Sequence, residues 1–183
     1  LEHLEHQSDL QFQQLAYDGH TTEHVLSGQM LSPAVQTSSH LVLSVGGNDL
    51  LQNIPFLYEG PIENINGAIA GVQQYIFNPL QQRYETIVEK LSSHRANLLL
   101  CTVYEGDLGR SDEFRNIIDS SKTMVSAFND IVYKTANKYG ADVLELRDIF
   151  VRPEDYANPI EPSHIGGGKL AKAIMEWVKR NND

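Results

Sequence analysis

The stretch "LVLSVGGNDLL" (residues 41 to 51) decides how the rest of the chain is read. It runs a mostly apolar segment into two glycines, an amide and a carboxylate. A short apolar run without polar alternation suits a strand covered on both faces, as in a parallel sheet. Gly46 and Gly47 let the chain leave that strand sharply and keep side chains out of the way. Asn48 then brings an amide NH₂ to the strand's carboxyl end, where such sheets bind ligands. An uncharged donor there can hold an oxyanion without having to lose a proton. A turn in which Asn48 and Asp49 merely cap the next segment is the structural alternative.

Working outward, "FQQLAY" (12 to 17), "HLVLSVG" (40 to 46), "NLLLCTVY" (97 to 104) and "ADVLELR" (141 to 147) read as strands. Helical periods fill the intervals: Thr22 to Met30, Ile62 to about Leu91, Ser111 to Tyr139 and Ser163 to Arg180. Pro79 is expected to kink or divide the second. The third opens with Ser111 as a cap and closes on Gly140 as its C′ residue. Strand and helix in regular alternation imply one domain, residues 1–183, with a three-layer α/β/α fold around a parallel sheet.

Composition narrows the function. Lys and Arg number 14 against 24 Asp and Glu, a net charge of -10, which repels a nucleic-acid backbone unless cations gather on one face. They do not. The only cysteine, Cys101, lies in an apolar run, so neither a disulfide framework nor a cysteine-based zinc site is available. No apolar run approaches the roughly 20 residues that span a bilayer. The expectation is a soluble, cytoplasmic protein without cofactor, with a leader upstream of Leu1 left open.

At the first strand end, "AYDGHTTEHVL" places Gly19 in a tight turn before a helix that Thr21 or Thr22 can cap, where a ligand could approach the Gly19 N–H. Two motif matches in the chain lack the context they need. His20-Thr21-Thr22-Glu23-His24 fits the zinc-peptidase pattern H-x-x-E-H, but His20 precedes the cap and is not expected to point with His24, so no metal site is assigned. "GGGKL" departs from a phosphate-binding loop at both ends, and no G-x-G-x-x-G follows a strand.

Taken together, these segments resemble the SGNH/GDSL hydrolases, which cleave esters and related acyl bonds on a flavodoxin-like parallel sheet. "LAYDGHTTEHVL" looks like the family's second block and would make the Gly19 N–H an oxyanion donor. "LVLSVGGNDLL" is similar to the third, V-x-x-G-x-N-D, with Asn48 as the oxyanion-hole amide. "YANPIEPSHIGGGKLAKAI" stands where the fifth, D-x-x-H-P-N-x-x-G, belongs. The resemblance implies an upstream nucleophilic serine in a Gly-Asp-Ser turn, so the printed chain is expected to start after a missing first strand.

The fifth block fits in two registers. One makes His164 the base and Glu161 its orienting acid. The other matches Pro162 and Gly166, leaving Glu161 at the base position and Asn158 at the acid position. An imidazole suits proton transfer near neutral pH, whereas a free carboxylate is a weak base unless buried. Tyr104, Glu105 and Tyr156 are candidate substrate-binding residues. The implied function is a serine ester hydrolase acting on a small-molecule ester or acyl substrate. A binding protein on the same scaffold, its hydrolytic groups decayed, is the alternative. A receiver or flavin carrier is disfavoured, since "VGGND" supplies neither an acidic cluster nor an aromatic stack.

Overall fold

The computed structural model describes residues 10–55 and 64–182. Three parallel strands, β1 (His40–Leu43), β2 (Asn97–Cys101) and β3 (Asp142–Leu144), pair side by side in chain order. The helices are α1 (Thr22–Ser27), α2 (Pro33–Thr37), α3 (Gly47–Leu51), α4 (Ile65–Val72), α5 (Asn78–Ser92), α6 (Ile118–Tyr139) and α7 (His164–Arg180). This is the α/β fold with a parallel sheet that the alternation of elements implies.

The period-2 geometry of β2 sorts its side chains between two helical layers. Leu98 and Leu100 pack with Tyr84, Val88, Phe128 and Val132 of α5 and α6, while Leu99 packs with Trp177 and Val178 of α7 on the other face. Leu99, Leu100 and Cys101 are all at most 1 % exposed, so each buried leucine contributes about 1.5–3 kcal/mol. Burial also pushes the Cys101 thiol up to about 12, which marks it as inert core.

Strand ends and one whole segment differ from the sequence reading. Residues 11–16 form no strand. Phe12 and Leu15 are three apart, so they cannot share one face of a strand, and Leu15 instead packs against the edge of the core from an irregular segment. Beyond Cys101, Thr102 N–H still donates to the Leu144 carbonyl, and one residue later Asn129 of α6 takes over the backbone: its Oδ1 accepts from Val103 N–H and its Nδ2 donates to Val103 C=O, both at 2.8 Å. β3 is only three residues long, and the chain continues through a 3-10 turn at Leu146–Asp148.

The long helix expected from 62 to 91 is divided as Pro79 suggests; its residues 62 and 63 lie outside the described ones. A π-helical turn at Gln73–Phe77 separates α4 from α5, and Pro79, which has no N–H, falls in the first turn of α5. Ser111 does cap, accepting from Glu113 N–H, but the turn it caps is 3-10 from Asp112 to Ile117, and α6 follows only at Ile118. Gly140 ends α6 at φ 69°, the left-handed conformation that favours glycine.

Candidate active site

Two loops at the carboxyl edge of the sheet are tied to each other. After β1, Gly46 turns the chain at φ 117° into the short helix α3. A Cβ at that position would lie 2.3 Å from the ring of Phe128, which is fully buried, so the turn requires glycine for space as well as for angle. From α3, Asp49 reaches back into the start of α1. Its Oδ2 accepts from Thr22 N–H at 2.9 Å, its Oδ1 from Thr22 Oγ1 at 2.6 Å, and Arg83 of α5 donates to Thr22 Oγ1 at 2.9 Å. Both Thr22 and Asp49 are buried, so removing either leaves a partner unpaired at a cost of about 1–3 kcal/mol.

This anchor brings Asn48 beside the turn at 17–20, where its Nδ2 donates to the His20 carbonyl at 3.0 Å. An amide NH₂ carries two hydrogens, so one remains for a ligand. Gly19, the neighbour of His20, has φ 74°, and a Cβ there would meet nothing within 4 Å among the described residues. Asn48 is thereby joined to the turn that contains Gly19.

Between these loops and the end of β2 lies a cavity of about 330 Å³. Leu50, Leu51, Ile54, Met124, Val125 and Leu146 supply apolar wall; Ser44, Asn48, Tyr104, Glu105, Glu161 and His20 supply polar groups. Its base is stiffened where Thr102 Oγ1 donates to Glu145 Oε1 and accepts from Leu146 N–H, each at 2.8 Å. Burial would raise the Glu145 carboxyl, but hydrogen bonds from Arg147, Thr102 and Tyr133 outweigh it and bring it down to about 2. Burial, with the charges of Tyr156 and Glu161, pushes Tyr104 up to about 12; its phenol stays protonated and donates to the Ile160 carbonyl at 2.7 Å.

That bond fixes the last loop, in which Asn158 organises Glu161. Asn158 Oδ1 accepts from the N–H groups of Ile160 and Glu161, and its Nδ2 donates to Glu161 Oε2 at 2.6 Å. Glu161 lies on the cavity wall. His164 is exposed at the first turn of α7 and is not on that wall. Ser163 caps this helix, and Gly166 passes so close to the loop that a Cβ would meet the Asp155 carbonyl at 2.2 Å. Asn158 and Glu161, the acid and base positions of the second register, are hydrogen-bonded to each other with the Asn158 amide as donor.

The structure brings Asn48, Tyr104, Glu105 and Glu161 to one cavity, with Gly19 in the turn between its wall residues Asp18 and His20. Tyr156 belongs elsewhere. It is 8 % exposed, its hydroxyl donates to the Phe150 carbonyl, and it lines a neighbouring cavity of about 420 Å³ that Glu105 also borders. His20 and His24, expected to point apart, instead stack with ring centroids 4.5 Å apart. The Nδ1 of His24 accepts from Thr21 N–H at 3.1 Å, which occupies that nitrogen. Among the described residues no three His, Cys, Asp or Glu side chains gather as metal ligands. The sequence reading missed His20, Gln29 and Ser44 on the cavity wall; their nearness to Asn48 depends on contacts between loops that no local pattern encodes.

No protein-family model and no curated protein matches the chain. Solved structures do resemble it. A GDSL-like lipase from Bacteroides thetaiotaomicron VPI-5482 superposes with a TM-score of 0.65 at 14% identity, over 88% of this chain and 72% of that one. Phospholipase A1 from Streptomyces albidoflavus NA297 gives 0.63 at 16%, covering 88% and 78%. An extracellular lipase from Streptomyces rimosus gives 0.59 at 16%, covering 85% and 76%. With its parallel sheet, covered faces and paired loops at the carboxyl edge, the chain has the SGNH/GDSL hydrolase-like α/β fold.

Proposed function

We propose that the 330 Å³ cavity is the acyl site of a carboxylic ester hydrolase. The observation that carries this reading is the 3.0 Å bond from Asn48 Nδ2 to the His20 carbonyl, which holds the amide against the Gly19 turn. A substrate carbonyl placed there would meet the second Asn48 hydrogen and the Gly19 N–H, and charge developing on its oxygen would be stabilised by donors already in position. The acyl group would extend along Leu50, Leu51 and Met124, in a space at the small end of ligand pockets, about 300–1,000 Å³. Tyr104 and Glu105 would contact the substrate; Tyr156 would act at most through the adjoining cavity. Of the two candidates for the base, Glu161 is the one on the cavity wall.

The nucleophile implied by the resemblance is a serine in a Gly-Asp-Ser turn, and no such turn occurs among the described residues. Ser44 and Ser121 are the serines on the described wall. A fluorophosphonate probe with peptide mapping tests the reading, alongside turnover of short p-nitrophenyl esters. Labelling of one serine with parallel loss of turnover is expected. Absence of both, with retained binding of a short ester analogue, would favour a ligand-binding protein. One observation supports that second reading: the Asn158 amide occupies a Glu161 oxygen, competing with the proton that a base must accept. A cytoplasmic location belongs to the same proposal and is checked by cell fractionation. No helix among the described residues is long and apolar enough to cross a membrane.

A further inference from the structure

We propose that His20 carries the proton in this site and that Gln29 is its positioning residue, an inference that rests on the cavity being the acyl site. His20 is the histidine on the cavity wall among the described residues, and imidazole is the side chain that exchanges protons most readily near neutral pH. Its main-chain carbonyl holds Asn48 Nδ2 at 3.0 Å, so the ring and the oxyanion amide are anchored to one residue. The ring is fixed on three sides: it stacks on His24 at 4.5 Å, it meets Tyr17 at 5.0 Å between centroids, and its Nδ1 lies 3.0 Å from the Gln29 amide nitrogen. Nδ1 is thereby engaged, and Nε2 is the ring nitrogen that no group among the described residues binds.

Gln29 suits the task because its amide serves either state of the ring. With Nε2 towards the imidazole it donates to a bare Nδ1; turned by half a revolution it presents Oε1 and accepts from Nδ1–H. Its Oε1 is buried without a hydrogen-bond partner among the described residues. The turned setting satisfies that oxygen and leaves a lone pair on Nε2. In the first step the nucleophilic serine gives its proton to His20 Nε2 as its Oγ bonds to the acyl carbon, and the carbonyl π pair moves onto the oxygen at Asn48. The C=O bond then re-forms, the bond to the leaving oxygen breaks, and the proton on Nε2 passes to that oxygen to give the alcohol. Water repeats the same transfers on the acyl-serine, giving the acid and the free serine with His20 restored.

Other titratable groups bear on this ring: Tyr17 and Asp18 from its own turn, His24 from α1, and Tyr104, Glu105 and Glu161 from the other cavity walls. The test therefore compares variants rather than reading one profile. Ester kcat/KM is measured against pH for wild type, His20→Gln, Gln29→Glu and Asn48→Ala, with imidazole ¹⁵N spectra of His20 and melting curves for each protein. His20→Gln is expected to lower kcat/KM by about 10²–10⁴-fold with folding retained. Gln29→Glu, which puts an anion beside Nδ1, should move the acid limb to higher pH and fix His20 in the Nδ1–H form. If His20→Gln keeps turnover within twofold while Asn48→Ala loses it, this proposal fails and the acyl site stands. An unmoved acid limb with His20 held in the Nε2–H form also overturns it. Wild type without ester turnover, or Asn48→Ala with full turnover, removes the acyl site itself and this proposal with it.

Discussion

Gly46→Ala is the substitution whose consequence follows most directly from geometry. The residue turns at φ 117° and ψ −26°, and its added methyl would lie 2.3 Å from two carbons of the Phe128 ring. Phe128 cannot step aside. It is fully buried and packs edge-on against Tyr84, with centroids 5.4 Å apart. Forcing an L-residue into a left-handed conformation costs about 1–2 kcal/mol. Overpacking a tight core adds about 1–3 kcal/mol, for a total of about 2–5 kcal/mol. In a chain of this size each kcal/mol shifts the melting midpoint by about 2–4 °C, so a fall of about 4–20 °C is expected by differential scanning calorimetry.

Gly47→Ala supplies the control in the adjacent residue. Among the described residues a Cβ there, within α3, meets only Val103 Cγ1, at 3.7 Å. It should leave stability unchanged or raise it by about 0.4–1 kcal/mol. Combining Gly46→Ala with Phe128→Leu should cost less than the sum of the two, because both act on one contact, with a coupling of about 0.5–3 kcal/mol. A midpoint for Gly46→Ala within 2 °C of wild type, that is about 1 kcal/mol or less, would refute the reasoning. So would strict additivity in the double variant.

Tyr84→Phe removes a buried hydroxyl that has no hydrogen-bond partner among the described residues and whose titration burial pushes far upward, so urea unfolding should show unchanged stability or a gain of about 1 kcal/mol. A loss of that size would mean that the hydroxyl is paired. Glu145→Gln tests the brace beneath the cavity. The folded carboxyl, at about 2, lies below its ordinary 4.5, so its stabilisation is present above pH 4.5 and is lost as pH falls towards 2. The variant should cost about 2–3 kcal/mol at pH 7, a deficit that shrinks steadily between pH 4.5 and 2. A deficit independent of pH would contradict the assigned electrostatic origin.

The parts of the fold that were legible in sequence are those where local chemistry decides. Gly46 needed no distant partner to announce a sharp exit from β1, nor did Gly140 to announce the end of α6, and the run Leu98 to Cys101 is apolar whichever layer receives each residue. "FQQLAY" misled because a short apolar run says nothing of its period: Phe12 and Leu15 cannot share a strand face. The end of β2 was hidden because Asn129, 26 residues after Val103, reads as an ordinary helix position until its amide is seen to occupy both backbone groups. At the site, Asn48 stood out as an amide at the end of an apolar strand, and Glu161 through the resemblance to the family's fifth block. The Asp49–Thr22–Arg83 links that aim Asn48, and the Gln29–His20 contact beside it, join segments by folding alone.

The central claim is that the free hydrogen of the Asn48 amide stabilises an oxyanion formed in this cavity. The measurement that tests it most directly is ester turnover by Asn48→Ala beside wild type, with both proteins shown by calorimetry to be folded. Loss of one such donor predicts a fall in kcat of about 10²–10³-fold with little change in KM. Equal kcat in the two folded proteins would contradict it.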